Sequence, residues 1–100
     1  MEKKIEMKAW YFGADDNKIE GVHKNIIGDA SNIWGDVSDI WGDVSGISGN
    51  VSLIWGYVSG ISGNVSGIMG DVSNLKVNFD ECKITEEERK AGINIKDLFE

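Results

Sequence analysis

The residues able to do chemistry are few in kind and regular in spacing. From Ile26 the chain repeats Ile-x-Gly-Asp/Asn-Val-Ser-Gly every seven residues without insertion, so aspartate, asparagine and serine recur at fixed steps. Repeated serines need a base to become nucleophiles, and no His or Asp/His pair stands near one. His23 is the only histidine, and it occupies the place where the repeat usually has Val. A packing or end-cap role suits it better than catalysis. Cys82 is the only cysteine; Lys83 lies beside it, but a thiol without a base partner makes a poor nucleophile. With no second histidine and no thiol pair, a transition-metal site is not expected. The glycines follow the repeat and do not form GxxxxGK[ST], so they build no phosphate loop. These residue types predict a chain that is not an enzyme and takes no cofactor.

A seven-residue period raises the coiled coil first, because Ile and Val alternate at steps of four and three. Helix propensity argues against it. Gly, Ser, Asp/Asn and two β-branched residues per unit sum to roughly 3–4 kcal/mol lost per heptad in a helix. Charged residues that would select a partner helix are scarce. As strand, the heptad makes sense: Ile, the central Gly and Val share one face, and the second residue, Asp/Asn and Ser share the other. The central Gly then lets two sheets approach closely. The closing Ser-Gly or Ser-Asn supplies a turn, since Gly and Asn accept positive φ.

Two heptads per coil give a two-sided roll; three give a triangular helix. The second position of each heptad chooses between them. At fourteen-residue spacing, Ile27, Trp41, Trp55 and Met69 fall together, and Trp34, Ser48, Ser62 and Lys76 fall together. Spacing by twenty-one mixes the sets. The predicted fold is therefore all-β: a parallel β-solenoid, a two-sided β-roll of about fourteen residues per coil. On it, Ile27, Trp41, Trp55 and Met69, with Tyr57 beside them, form an outward apolar stripe, which monomers rarely leave in water beyond a few hundred Å². Asp15, Asp29, Asp43 and Asp71 form an acidic row on the outer face, interrupted by Tyr57. These are expected to be solvated carboxylates that deter edge-to-edge pairing. Weak calcium binding is the alternative, although the nine-residue signature of calcium-loaded rolls is absent. Asn50, Asn64 and Asn78 are expected to form an amide ladder.

The ends depart from the repeat. Residues 1–25 read as a strand-and-turn cap, 26–81 as the solenoid and 82–100 as a helical cap. Ile5, Phe12, Ile19 and Gly21 fall on the heptad grid, Glu6 and Glu20 extend the outer polar ladder, and GADDN is a turn cluster. Leu75, Val77 and Phe79 replace Ile, Gly and Val and are expected to plug the roll. Thr85-Glu86-Glu87-Glu88 is a capping box, with Gly92 as the helix stop. Atypical ends protect edge strands. A net charge of −7 over 100 residues argues against nucleic-acid or anionic-membrane binding. No apolar run is long enough for a bilayer span, and MEKKIEMK lacks the apolar region of a signal peptide. A single cysteine fits a reducing cytoplasm.

The tail also carries a resemblance. Tandem IxGDVSG heptads followed by NFDECKITEEERKAGINIKDL resemble a group of small uncharacterised heptapeptide-repeat proteins of bacteriophages and bacteria. The resemblance covers about Ile26 to Leu98. Its specificity lies in the order of DEC, TEEER and GINIKDL, which the roll does not force. It implies a phage or bacterial origin, hence host cytoplasm if phage-encoded, and it assigns no catalytic residue. The expected function is a non-enzymatic structural or protein-binding module that dimerises, or docks a protein, through the Trp stripe. The alternative is an acidic imitation of nucleic acid that inhibits a host DNA- or RNA-acting enzyme.

Overall fold

Each heptad forms one short strand and one turn. The computed structural model describes residues 8–98. The strands are β1 (Ala9–Phe12), β2 (Lys18–Glu20), β3 (Ile26–Ile27), β4 (Ile33–Asp36), β5 (Ile40–Asp43), β6 (Ile47–Asn50), β7 (Ile54–Tyr57), β8 (Ile61–Asn64), β9 (Ile68–Asp71), β10 (Val77–Asn78) and β11 (Ile93–Asn94). Successive heptads alternate between two sheets. One has six strands in the order β10-β8-β6-β4-β1-β2; the other has five, β11-β9-β7-β5-β3. Every repeat strand pairs in parallel with the strand one coil away. This is the two-sided parallel β-roll, with equivalent strands starting fourteen residues apart at Ile33, Ile47 and Ile61.

The core is the Ile and Val of the repeat. Val37, Val44, Val51, Val58, Val65, Val72, Ile40 and Ile68 are wholly buried, and Ile47 and Ile54 are nearly so. Burying each such side chain stabilises by roughly 1.5–3 kcal/mol. No Trp belongs to this core.

Register departs from simple stacking. Ile33 lies opposite Gly49, and Ile47 opposite Gly63, a step of sixteen residues on a repeat of fourteen. Each coil is thus displaced by two residues along the strand, about 6.6 Å. Ile faces the bare backbone of Gly in the next coil instead of another Ile. The same shift overturns the amide ladder: Asn50 lies opposite Trp34, and Asn64 opposite Ser48.

The two glycines of the heptad exchange the roles that the sequence suggests. The turn is closed by the Ile N–H donating to the Val carbonyl three residues back, as in Ile47 to Val44 at 3.1 Å. Asp39 and Leu53 occupy the residue before Ile as well as Gly46 does, so the turn itself needs no glycine there; only Gly60 and Gly67, against the backbone of Leu75 and Arg89 at the C-terminal end, are sterically held to it. Positive φ recurs instead at the central strand glycine, as at Gly49 with φ 93°; Gly67, against the helical cap, is the one closing glycine that shares it, with φ 79°. A Cβ there would collide with Asn64 Oδ1 and Ser66 Oγ, at the corner of the next coil. The close approach that requires glycine is therefore between successive coils, not between the two sheets.

At the N-terminal end the grid stops. The GADDN turn reverses the chain, with Asp16 at φ 61°, and β2 runs antiparallel to β1. β1 itself pairs with β4, Ala9 opposite Gly35. Phe12 and Ile19 are exposed as a result, off the interior positions expected of them. The expected grid members Ile5 and Glu6 lie outside the described residues.

At the C-terminal end Phe79 is wholly buried in the place of a Val. Helix α1 (Glu86–Ala91) begins with the capping box of Thr85 and Glu88 and ends at Gly92. Arg89 fixes it to the roll: Nη1 donates to the carbonyls of Asn64 at 2.7 Å and Ser66 at 2.8 Å. Then β11 pairs with β9, and a helical turn, α2 (Ile95–Leu98), follows. Ile93-Asn94-Ile95-Lys96 stand where Gly-Asp-Val-Ser would be one coil further on. Asn94 Oδ1 even accepts from Lys96 N–H at 3.0 Å, as the repeat residues do. The tail thus contains a disguised repeat unit that closes the five-stranded sheet.

Candidate docking face

The outward face of the five-stranded sheet holds the large apolar side chains. Ile27, Trp41, Trp55 and Tyr57 are 58%, 47%, 50% and 47% exposed. Strand alternation forces them outward, because the Ile and Gly on either side of each second-position residue point in. Trp41 lies directly opposite Tyr57, Ile27 opposite Asp43 and Trp55 opposite Asp71. Trp41 and Trp55 are diagonal neighbours, about 8 Å apart by one strand spacing and two residues of rise. Between them lies a groove of about 460 Å³, lined by Ser38, Asp39, Trp41, Trp55, Asp71 and Ser73. A second hollow of about 340 Å³ lies on the other side of Trp55, beside Asn94, Ile95 and Lys96. Met69, expected on this face, is only partly exposed, since its methyl group lies against Gly92 of the cap. Leu53 adds an exposed apolar side chain in the turn before β7, which the strand pattern does not reveal.

The opposite outer face is different. Its second-position residues are Trp34, Ser48, Ser62 and Lys76. Trp34, Ser48 and Ser62 are half-buried, and only Lys76 is exposed.

The aspartates are structural to a degree that solvated edge residues are not. Asp29 Oδ1 accepts from Ser31 N–H, Asp43 Oδ1 from Ser45 N–H and Asp71 Oδ1 from Ser73 N–H, all at 2.9 Å. Asp36, Asn50, Asn64 and Asn78 make the same turn. The serine hydroxyl then receives the backbone N–H of the preceding coil: Asp29 N–H donates to Ser45 Oγ and Asp36 N–H to Ser52 Oγ, both at 2.9 Å. Asp29 is held below the ordinary carboxylate range by the Ser31 hydroxyl and then by the Ser31 backbone. For Asp43 the Ser45 backbone comes first and the hydroxyl second. For Asp71 the Ser73 hydroxyl leads, followed by the backbone. The Asp-x-Ser spacing was the available signal, since Asp and Asn favour such side-chain-closed turns. Asp15 belongs to none of this; it lies in the turn between β1 and β2.

Tyr57 breaks the rule. It stands where every other corner from Asp29 to Asn78 has Asp or Asn. Its N–H still donates to Ser73 Oγ at 3.2 Å. Its phenol, however, cannot replace the carbonyl oxygen that Ser59 N–H would meet in a regular unit.

The remaining candidates are accounted for locally. His23 Nε2 donates to the Val37 carbonyl at 2.8 Å, and Nδ1 accepts from Asn25 N–H at 3.2 Å, so a neutral ring satisfies both. Cys82 Sγ lies 3.7 Å from the Asn78 carbonyl oxygen, a weak donor contact. Among the described residues no three His, Cys, Asp or Glu side chains converge as a metal site would require. No helix among them is long and apolar enough to cross a membrane. No family model, curated protein or solved structure matches the chain.

Proposed function

We propose that this protein is a non-enzymatic structural and protein-binding module whose working surface is the outward face of the five-stranded sheet. Through it the roll either associates with a second copy or docks another protein. The observation that carries this reading is Tyr57. The repeat supplies Asp or Asn at that corner everywhere else, for a clear structural reason. The one exception puts an exposed aromatic ring directly beside Trp41, in the middle of the apolar face. Departures from a consistent local rule concentrate at functional positions, and aromatic residues are enriched at interface centres. The phage or bacterial origin rests on the resemblance of the tail. Imitation of nucleic acid has less support, because the Asp side chains are tied into turns and Asp29 and Asp43 are not cross-strand neighbours.

The test is the double variant Trp41→Ser/Trp55→Ser, which places on this face the residue that the other face carries at Ser48 and Ser62. It should fold as the wild type does and lose any assembly seen by light scattering across concentration. Acrylamide quenching of dilute wild type should show both rings open to solvent. Rings shielded in the dilute monomer would mean that the chain covers its own face, and the proposal would fall. Outright unfolding of the double variant would make the tryptophans structural instead.

A further inference from the structure

We infer that the occupant of this face is a basic peptide segment of another protein, one of whose Arg or Lys side chains lies over Trp55 between Asp39 and Asp71. This rests on the reading of the face as a docking surface and names the chemistry of its partner.

The sheet register sets up the site. Gly56 N–H donates to the Asp39 carbonyl at 2.9 Å, which puts Asp39 beside Trp55, in the turn that leads into the neighbouring strand β5. On the other side Trp55 is directly opposite Asp71. A tryptophan thus stands between two carboxylates in one row across the sheet. The groove lining contains no Lys or Arg. Lys96 sits in the hollow on the far side of Trp55.

The molecule builds the same arrangement a second time, and there it is filled. Trp10 on β1 is opposite Glu20 on one side and Asp36 on the other. Over its ring lies the Lys18 ammonium, 4.4 Å from the centroid. An outward Trp between two cross-strand carboxylates therefore takes a cation within this chain. The physical cause is the negative face of the indole, reinforced by the flanking charges. At Trp55 the row is repeated; Lys96 lines the hollow it shares with Asp71, but the cation stacked on a Trp ring among the described residues is Lys18, over Trp10.

Charge separates the candidate occupants. An isologous dimer through this face would bring Asp39, Asp43 and Asp71 of one copy toward the same residues of the other, between chains of net charge −7 each. Like charges so placed oppose association. A basic segment is complementary both to the row and to the whole molecule, and its approach is steered by the net charge.

The experiment is a fluorescence and calorimetric titration of the full chain with a short peptide alternating Arg and Thr, and with the same peptide carrying Gln for Arg. The variant is Asp39→Asn/Asp71→Asn. It should fold, because the repeat itself uses Asn at both kinds of position, as in Asn32, Asn50 and Asn64. The Arg peptide should bind the wild type, weaken as salt is raised, and bind the Asn variant at least about tenfold less tightly; the Gln peptide should not bind. Trp55→Ser should cost as much as the Asn pair. Equal binding of both peptides, or an Asn variant as tight as wild type, overturns the basic partner while a loss on Trp55→Ser keeps the docking face. Arg-peptide binding indifferent to Trp55→Ser overturns the site itself. A wild type that dimerises with Trp41 and Trp55 shielded assigns the face to a second copy and overturns this inference alone.

Discussion

The two outer faces of the roll are built on one backbone and one core, yet they carry different residues. The five-stranded sheet shows Ile27, Trp41, Trp55 and Tyr57, while the six-stranded sheet has a half-buried Trp34 and then Ser48, Ser62 and Lys76 at the second positions. Ile and Val complete the interior behind both. What the comparison teaches is that the strand and the core accept serine at the position where Trp41 and Trp55 stand, as Ser48 and Ser62 show. What differs is exposure: Trp41 and Trp55 are open to solvent, whereas Trp34 and Trp10, on the six-stranded sheet, are half-buried.

The comparison can be broken first at the scaffold. Gly49 in the six-stranded sheet and Gly56 in the five-stranded sheet have positive φ and abut the next corner alike. Alanine at either should cost about 2–4 kcal/mol, combining left-handed backbone strain with overpacking. Gly46→Ala, at a turn without positive φ, should stay within about 0.5 kcal/mol of wild type. Urea denaturation of the three variants checks this. Equal losses at Gly49 and Gly56 would show one scaffold beneath two faces; unequal losses would show that a face contributes to the fold after all.

The next test removes the exception. Tyr57→Asn gives Ser59 N–H the acceptor that its counterparts have, so stability should rise by about 0.5–1.5 kcal/mol. The same change should weaken docking by removing the ring beside Trp41. A melting temperature that falls instead would mean that Tyr57 packs for stability, and its status as a functional departure would be lost.

The finest test uses acid. The corners of the five-stranded sheet hold Asp29, Asp43 and Asp71, whereas on the other side Asp36 is followed by Asn50, Asn64 and Asn78, which do not ionise. The three carboxylates lie below their ordinary value of 3.8 in the folded chain. A lowered folded value means that their contribution is complete above 3.8 and disappears as pH falls through that value toward the lowered ones. Stability should therefore decline over that window. The triple variant Asp29→Asn/Asp43→Asn/Asp71→Asn should flatten the decline without abolishing it, because Glu88 is lowered too, by the Thr85 backbone and then its hydroxyl. An unchanged acid profile in the triple variant would show that these turns tolerate protonation.

Much of this was legible in the sequence, and the reasons for the gaps are physical. Alternation of Ile, Gly and Val fixed which residues face inward, and the fourteen-residue sorting of Trp41 and Trp55 from Ser48 and Ser62 gave both the coil length and the face. Register was not legible. A period says how often a unit recurs, but hydrogen bonding decides which residues lie opposite, and here the Ser45 and Ser52 hydroxyls pull each corner two residues along. The central glycine was misread for the same reason, since its obstacle belongs to a neighbouring coil. The N-terminal grid failed because GADDN reverses the chain, so Ile19 keeps the spacing but loses the direction. In the tail, Ile93-Asn94-Ile95 was hidden by the helix inserted before it.

The alternation of heptads between sheets has a consequence for how such a chain can change over generations. Tandem repeats gain and lose units by slippage during copying. Loss of a pair of heptads removes one coil and leaves every later residue on the side where it was. Loss of a single heptad transfers everything downstream to the opposite side, so Trp55 would leave the company of Trp41 and join Ser48. The core would accept either event, because all units present the same Ile and Val to it. Keeping Trp41 and Trp55 on one face therefore depends on parity, and unit number can drift without mixing the two faces only in twos.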